Sequence, residues 1–512
     1  MEESTFLKHR VISPLLCEST AEYVLPDYCG DIKKILHTGA VILPLGSFEG
    51  NGSAEFSGNI EYTVVYEDQE NNLNSCKFTS EYELAVKCEE EYVNSFCEVN
   101  MSTLSIRPVG PRKLSAKSTL SASVGINERR SIAVEGDAFY AHSPEVYERE
   151  IEYRTHERAV SDTRKVSCEN LFLEGAIEDD INLYTLSVTP RQLTHTVNED
   201  GVEVKGQLLV KVLYKNGDAM ATESERTIDF SEQMSVDTAV EYYLPIVRIG
   251  EAKCFPEVRE DGILIRSDIE YTVVLDCFGN ERLAVKCDSY LCDYEVNNEY
   301  GEFYYTRLVG FNCGEITREY EVGRESIDGA KIRNVIKADA TARINGSKIR
   351  ENSVDIDGTV RVSAITCEIN EDGTLGYGTV KFELPFEENV KFDLQLSENY
   401  RAECTLNVLS VDVDADATHL YPILTFSTVC TVLGDEKLPC LVASNTLGEP
   451  IDREDGVVTV YYPDRSDTLF SVAKKFHKKL VALASDNALS ESAFSSPHSP
   501  QSLDGVESLI IT

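Results

Sequence analysis

Tryptophan is absent from this 512-residue chain, so its aromatic character rests on 25 Tyr and 19 Phe. No Cys-x-x-Cys pair occurs. None of the eight histidines (His9, His37, His142, His156, His195, His419, His477, His498) is spaced with another His or Cys as a zinc motif requires. There is no Gly-x-Ser-x-Gly, no phosphate-binding loop and no dinucleotide fingerprint, which removes the common signatures of hydrolases and nucleotide enzymes. No apolar run is long enough to cross a bilayer, and the N-terminus has no basic segment leading into an apolar one. Neither a transmembrane helix nor a secretory signal is therefore expected. Basic residues are scarce: 48 Lys and Arg face 88 Asp and Glu, a formal net charge of −40. Such a surface repels phosphate backbones, so nucleic acid and anionic membranes are not expected partners. Against this background a local basic patch stands out.

Hydrophobic residues make up 42% of the chain, enough for packed cores, and the length suggests three or four domains. The fifteen cysteines are scattered and odd in number; several close strand-like runs, as in Val86-Lys87-Cys88 and Val285-Lys286-Cys287. Thiols used as small apolar side chains fit a reducing compartment better than an oxidising one.

One strand-like stretch occurs three times, centred on Gly58, Gly206 and Gly358, with apolar residues alternating at the period of a half-buried strand. A spacing of about 150 residues is that of a whole domain rather than a solenoid repeat. A second anchor accompanies it. Ile32 precedes Gly58 by 26 residues, Ile181 precedes Gly206 by 25 and Ile332 precedes Gly358 by 26. Tyr184 stands in the place of Ile35, and Val335 likewise. The Asp-Ile-x-x-Ile step reads as a short helical or turn element with an acidic start. Each unit continues into a second set of strand-like runs, which implies two sheets or two subdomains per unit.

Ile269 to Val274 repeats Ile60 to Val65 letter for letter, and Ala284-Val285-Lys286-Cys287 repeats Ala85-Val86-Lys87-Cys88. Both pairs of runs read as hairpins. Glu-Asp-Gly at 199–201, 260–262, 371–373 and 454–456 reads as hairpin turns. The charged stretch 145–154 reads as a linker between the first two units. Residues 303–314 read as the handover to the third, and 445–456 as a further linker. The expected architecture is mainly β: three related β-rich domains (1–158, 159–312, 313–445), a linker (446–456) and a small β-α-α-β module (457–512).

Few residues invite chemistry. Asp412, Asp414 and Asp416 alternate along a strand, but a calcium loop starting at Asp412 would need Gly and Glu where Ala417 and Ile423 stand. They read as a solvated strand face. His195 reads as a loop or strand-end residue. One cluster remains: Lys474, Lys475, Lys478 and Lys479, on or just after the first tail helix. Residues 457–487 hold five basic and three acidic residues, a local +2. This is either a solvated helix face or a patch that docks an acidic partner.

In the tail, Tyr461, Asp467-Thr468-Leu469, Val472-Ala473-Lys474-Lys475-Phe476 and Leu483 to Asn487 follow the pattern Tyr-x-Val-x-x-Gly-Asp-Thr-Leu, helix, Leu-x-x-x-Asn. This resembles the LysM family, with Pro463 for Val, Ser466 for Gly and a longer Ser-rich segment after the second helix. The resemblance implies a groove for N-acetylglucosamine chains or a protein contact. Ser466, Asp467, Thr468, Leu469 and Asn487 would lie at the groove, and Lys474, Lys475, Lys478 and Lys479 beside it. The triplicated body resembles the SPOCS-type domain of bacterial sporulation proteins, through Leu25-Pro26-Asp27, the Asp-Ile-x-x-Ile-Leu element and the Gly-centred strand. Together the two resemblances imply a non-enzymatic scaffold of endospore coat morphogenesis, in the mother-cell cytoplasm at the forespore surface. They imply no cofactor or metal, and partners that are the coat basement-layer ATPase or other coat proteins. The alternative is a cell-wall or cortex protein that binds peptidoglycan through the tail.

Overall fold

The computed structural model describes residues 4–43, 46–50, 52–88, 92–236, 240–327, 332–369, 373–451, 457–489, 503 and 505–512. The protein is mainly β, built from antiparallel sheets. The first seven strands are β1 (Ser4–Val24), β2 (Ile32–Ile42), β3 (Gly46–Gly50), β4 (Ser53–Asp68), β5 (Leu73–Lys87), β6 (Tyr92–Gly110) and β7 (Lys113–Ile132). They form two sheets, β1-β7-β6 and one in which β2 and β3 share one edge of β4 while β5 takes the other. Apolar residues on the inner faces of both sheets, among them Phe56, Ile60, Tyr62, Leu114 and Leu120, close one core. The alternation read around Gly58 is the inward face of β4. Tyr62 is fully buried, and its hydroxyl is satisfied by Ser80 and Ser118 at 2.9 and 2.8 Å.

The same arrangement recurs twice. After a one-turn helix α1 (Asp137–Tyr140) come β8 (Glu145–Val160), β9 (Arg164–Glu174), β10 (Ile181–Asn198), β11 (Gly201–Asn216), β12 (Thr222–Met234), β13 (Tyr242–Arg259) and β14 (Gly262–Tyr290). Sheet β10-β11-β12 packs on a sheet in which β14 lies between β13 and the successive strands β9 and β8. Then follow β15 (Glu295–Glu319), β16 (Val322–Gly323), β17 (Ile332–Ile349), β18 (Ser353–Ile369), β19 (Leu375–Lys391), β20 (Arg401–Ala415) and β21 (His419–Leu447). Sheet β17-β18-β19 packs on one in which β21 lies between β20 and the successive strands β15 and β16, both paired to β21 itself. In all three sheets of the Gly-centred type the glycine strand is central: Gly58 faces Tyr82, Gly206 faces Phe230 and Gly358 faces Phe386 on the following strand.

Two apolar clusters draw on all three sheet pairs. One is built on a β-bulge that each pair carries at the same place. Leu36, Tyr184 and Ile336 have no partner in the ladders β2–β4, β10–β11 and β17–β18. All three are buried, and they meet with Val65, Leu213 and Ile365 from the central strands. A bulge adds one residue to its strand and so turns a side chain out of the regular alternation. Here it aims one apolar residue per sheet pair away from its own core and into the shared one. The second cluster joins the long two-stranded extensions of the other sheets. Phe6 lies edge-on to Tyr153 and Phe303 at 5.5 Å each, with Ile151, Leu283 and Leu438 around them. A local contact adds to this tie: Gly136 has φ 109°, and a Cβ there would meet the carbonyl oxygen of Ser444 at 2.0 Å. Only glycine lets this segment dock on β21.

Several expectations change. Residues 145–154 are not a linker but most of β8, held by antiparallel pairing, with one bulge, to residues 280–290 of β14. The Asp-Ile-x-x-Ile step is not helical; Ile32, Ile181 and Ile332 begin strands, and a 3-10 turn, Glu178–Asp180, leads directly into the second. Tyr184 corresponds to Leu36 and Ile336 rather than to Ile35 and Val335, because the first and third strands carry an additional bulge nearer their start. Ile60 to Val65 does lie in a hairpin, that of β4 and β5. Ile269 to Val274 and Ala284 to Cys287 do not form one; they lie in the single strand β14. Phe278, Gly279 and Asn280 between them stay extended because β8 pairs across them. The handover at 303–314 and the expected boundary at 312 fall within β15, and that at 158 within β8. Gly201 and Gly262 close hairpins at φ 126° and 157°. The turns at 371–372 and 454–456 lie outside the described residues.

Candidate functional site

The tail runs β22 (Thr459–Tyr461), α2 (Leu469–Lys475), α3 (Leu480–Asp486) and β23 (Leu509–Ile511), with β22 and β23 antiparallel. Thr468 caps α2: its hydroxyl accepts from the Ser471 amide at 3.0 Å, and the Ser471 hydroxyl accepts from the Thr468 amide at 2.9 Å. Asp467 accepts from the Asp464 amide at 2.9 Å and the Tyr461 hydroxyl at 2.8 Å, and these bonds hold its carboxyl below the usual range. Leu469 is fully buried among Val472, Leu483 and Leu509. Asn487 donates to the carbonyls of Leu483 and Ile510 at 2.8 Å and accepts from the Ile510 amide at 2.5 Å, tying α3 to β23. Of the expected groove residues, Ser466 alone is exposed; the others build the module itself. The far side of that groove, residues 490–502, lies outside the described residues.

The basic cluster divides. Lys474 donates to both carboxylate oxygens of Asp288 on β14, at 2.6 and 2.8 Å. The carbonyl of Lys478 accepts from the Tyr290 hydroxyl at 2.8 Å. His477 lies 2.9 Å from the Leu291 carbonyl and 3.1 Å from the Glu295 carboxylate. Around these polar contacts is an apolar clamp. Tyr290, 1% exposed, stands edge-on to Phe470 at 5.2 Å, and Tyr147 lies 5.6 Å from the same ring. Burial pushes the Tyr290 phenol far above its ordinary range. Lys475 is exposed, with its ammonium 4.5 Å from the Tyr461 ring. Lys479 is exposed at the start of α3. Lys478 and Lys479 line a cleft of about 450 Å³ between tail and body, with Asp486, Asp293 and Cys292.

The tail's positive face is thus set against acidic body residues, Asp288 and Glu295 on one side and Glu145 near Lys479 on the other. Opposite charge fixes the orientation, and the buried aromatics supply the affinity. The body half of this clamp was not found from the sequence. Tyr290 and Asp288 sit about 186 residues from their partners and belong to no local motif.

One acid–base assembly lies elsewhere, between the first two sheet pairs. Asp276 accepts from Arg158 at 2.6 and 2.7 Å and lies 3.2 Å from His156. Burial disfavours the charge on Asp276, but the bonds from His156 and Arg158 outweigh it and hold the carboxyl below its usual range. Phe96 and Phe278 pack on the His156 ring at 4.3 and 4.2 Å, which fits a buried structural network rather than a reactive site. The aspartates at 412–416 form a face on β20 and its turn. Asp412 pairs with Lys211 at 2.8 Å, and Asp416 accepts from the amides of Thr418 and His419. His195 lies in β10 beside the Tyr243 ring. Among the described residues no group of three or more His, Cys, Asp or Glu is arranged to hold a metal. No helix among them is long and apolar enough to cross a membrane.

No protein-family profile matches the chain. No curated protein matches it. One solved structure, a lipopolysaccharide binding protein, is similar at 6% identity over 51% of this chain and 91% of its own, with a TM-score of 0.09. A likeness that weak carries no argument about fold or function.

Proposed function

We propose that this protein is a non-enzymatic scaffold of endospore coat morphogenesis, in which the three sheet pairs are SPOCS-type domains and the tail is a LysM module. The scaffold links the coat basement layer to the forespore surface from the mother-cell cytoplasm, through contacts with the basement-layer ATPase or other coat proteins. The observation that carries this reading is the clamp of Lys474 on Asp288 and Tyr290 on Phe470. It fixes the tail to the body and leaves Lys475 and Lys479 exposed at set positions. On a chain of net charge −40, two fixed exposed ammonium groups suit an acidic protein surface better than a neutral glycan chain.

The test uses the full-length protein. Lys475→Glu with Lys479→Glu is expected to weaken binding to the basement-layer ATPase roughly tenfold at low salt, about 1.4 kcal/mol, with the fold unchanged by circular dichroism. Unchanged affinity would overturn the docking role. Saturable retention on purified cortex glycan, insensitive to the same substitutions, would favour the peptidoglycan reading.

A further inference from the structure

None of the fifteen cysteines is joined in a disulfide, and two of them stand together. Cys404 on β20 and Cys430 on β21 are direct partners across the ladder, and their sulfurs are 3.3 Å apart. Directly opposed residues in an antiparallel pair have Cα atoms about 4.5 or 5.5 Å apart, both within the span a disulfide bridges. The two sulfurs need approach by little more than 1 Å to reach the roughly 2.05 Å of a disulfide bond. Their exposure is unequal: Cys430 is fully buried in the third core, whereas Cys404 is part-exposed beside it. We propose that Cys404 and Cys430 are a thiol pair that closes to a reversible cross-strand disulfide by exchange with small-molecule disulfides.

The order of events follows from the geometry. Cys404 is the more exposed residue of the two, and the Cys430 thiol beside it stabilises its thiolate, so Cys404 titrates below a free thiol and Cys430 above one. The Cys404 thiolate attacks one sulfur of the small disulfide; a Cys404 mixed disulfide forms and one small thiolate leaves, taking up a proton. Cys430 then loses its proton, its sulfur attacks Cys404 Sγ, and the second small thiolate leaves. Two protein thiols are oxidised to one disulfide and one small disulfide is reduced to two thiols. The bond joins the edge strand β20 to the middle of β21. The continuation of β21, through Leu438 and Cys440, runs into the cluster shared by all three sheet pairs. In a reducing compartment the pair stays open; on contact with an oxidised pool it closes and covalently fixes the third sheet pair.

The experiment incubates the reduced full-length protein with oxidised glutathione, traps remaining thiols by alkylation, and maps the digest by mass spectrometry without reduction. The expected product is a Cys404–Cys430 linked peptide lacking two hydrogens, formed roughly tenfold faster than any other pairing and opened again by dithiothreitol. In Cys430→Ala the expected product is a persistent glutathione adduct on Cys404. Accumulation of that adduct in the unaltered protein would overturn the proposal. So would a fully alkylatable Cys404 while other cysteines react.

Discussion

Lys474 in the tail and Asp288 in the body share two hydrogen bonds, of 2.6 and 2.8 Å. Each side chain keeps part of its surface open to water, 33% and 25%. The pair is therefore worth at most about 1 kcal/mol, and it orients the tail rather than holding it. Lys474→Glu is expected to loosen the interface by that amount, and Lys474→Glu with Asp288→Lys to restore it. Tyr290→Ala, which empties the buried aromatic contact, is expected to cost about 3–5 kcal/mol. Amide exchange of residues 285–296 and of α2 reads all three.

The bulge cluster predicts coupling between distant parts of the chain. Leu36→Ala, Tyr184→Ala and Ile336→Ala should each cost about 2–5 kcal/mol in urea unfolding. Leu36→Ala with Ile336→Ala should depart from the sum of the single losses by about 0.5 kcal/mol or more, since both residues line one cluster. Additive losses would show that the two residues do not share a core.

The three repeated glycines are not equally replaceable. A Cβ on Gly58 would meet the Tyr82 hydroxyl at 2.8 Å, the far end of a side chain. A Cβ on Gly358 would meet the Arg343 backbone carbonyl at 2.8 Å, which cannot move without breaking the ladder. Gly358→Ala is expected to lose about 1–3 kcal/mol and Gly58→Ala less, measured by thermal unfolding.

Acid should weaken the interface between the first two sheet pairs. Burial, together with the charges of His156 and Arg154, pushes His9 from 6.5 down to about 3. His156, at the same interface, is displaced in the same direction by burial, and so is His37, which faces Asp339 of the third sheet pair. A histidine depressed by folding is protonated first in the unfolded chain, so stability is complete above pH 6.5 and falls as pH drops from 6.5 towards 3. The slope is about 1.4 kcal/mol per pH unit for each such group. His9→Gln, measured by urea unfolding at a series of pH values, should lower that slope by one proton. An unchanged slope would mean that His9 is not the group responsible.

Much of the fold was legible because strand formation is local. The alternation around Gly58, Gly206 and Gly358 marks central strands of three sheets, and the Asp-Gly turns at 200–201 and 261–262 mark two hairpins. The bulge residues were within reach as well. Leu36, Tyr184 and Ile336 each lie 22 residues before their glycine, a constant spacing hidden behind the better-looking but variable isoleucine anchor. Periodicity misled where one strand outran its pattern. In β14 the identical hexapeptide and the Ala-Val-Lys-Cys run suggested a hairpin, but β8, more than a hundred residues earlier in the chain, pairs across the stretch between them and kept it extended.

Composition and pattern alone determined that this chain is mainly β, strongly acidic and repetitive, and that its tail carries a basic face on a short helix. Those properties depend on residues near one another in sequence. Only the tertiary structure decided what the basic face meets, which thiols stand together and how the three sheet pairs join. Cys404 finds Cys430 through the register of the β20–β21 hairpin, whereas Lys474 finds Asp288 because burial of apolar surface brings the tail onto the body. That force is proportional to area and blind to sequence distance, so it leaves no local signature in the chain.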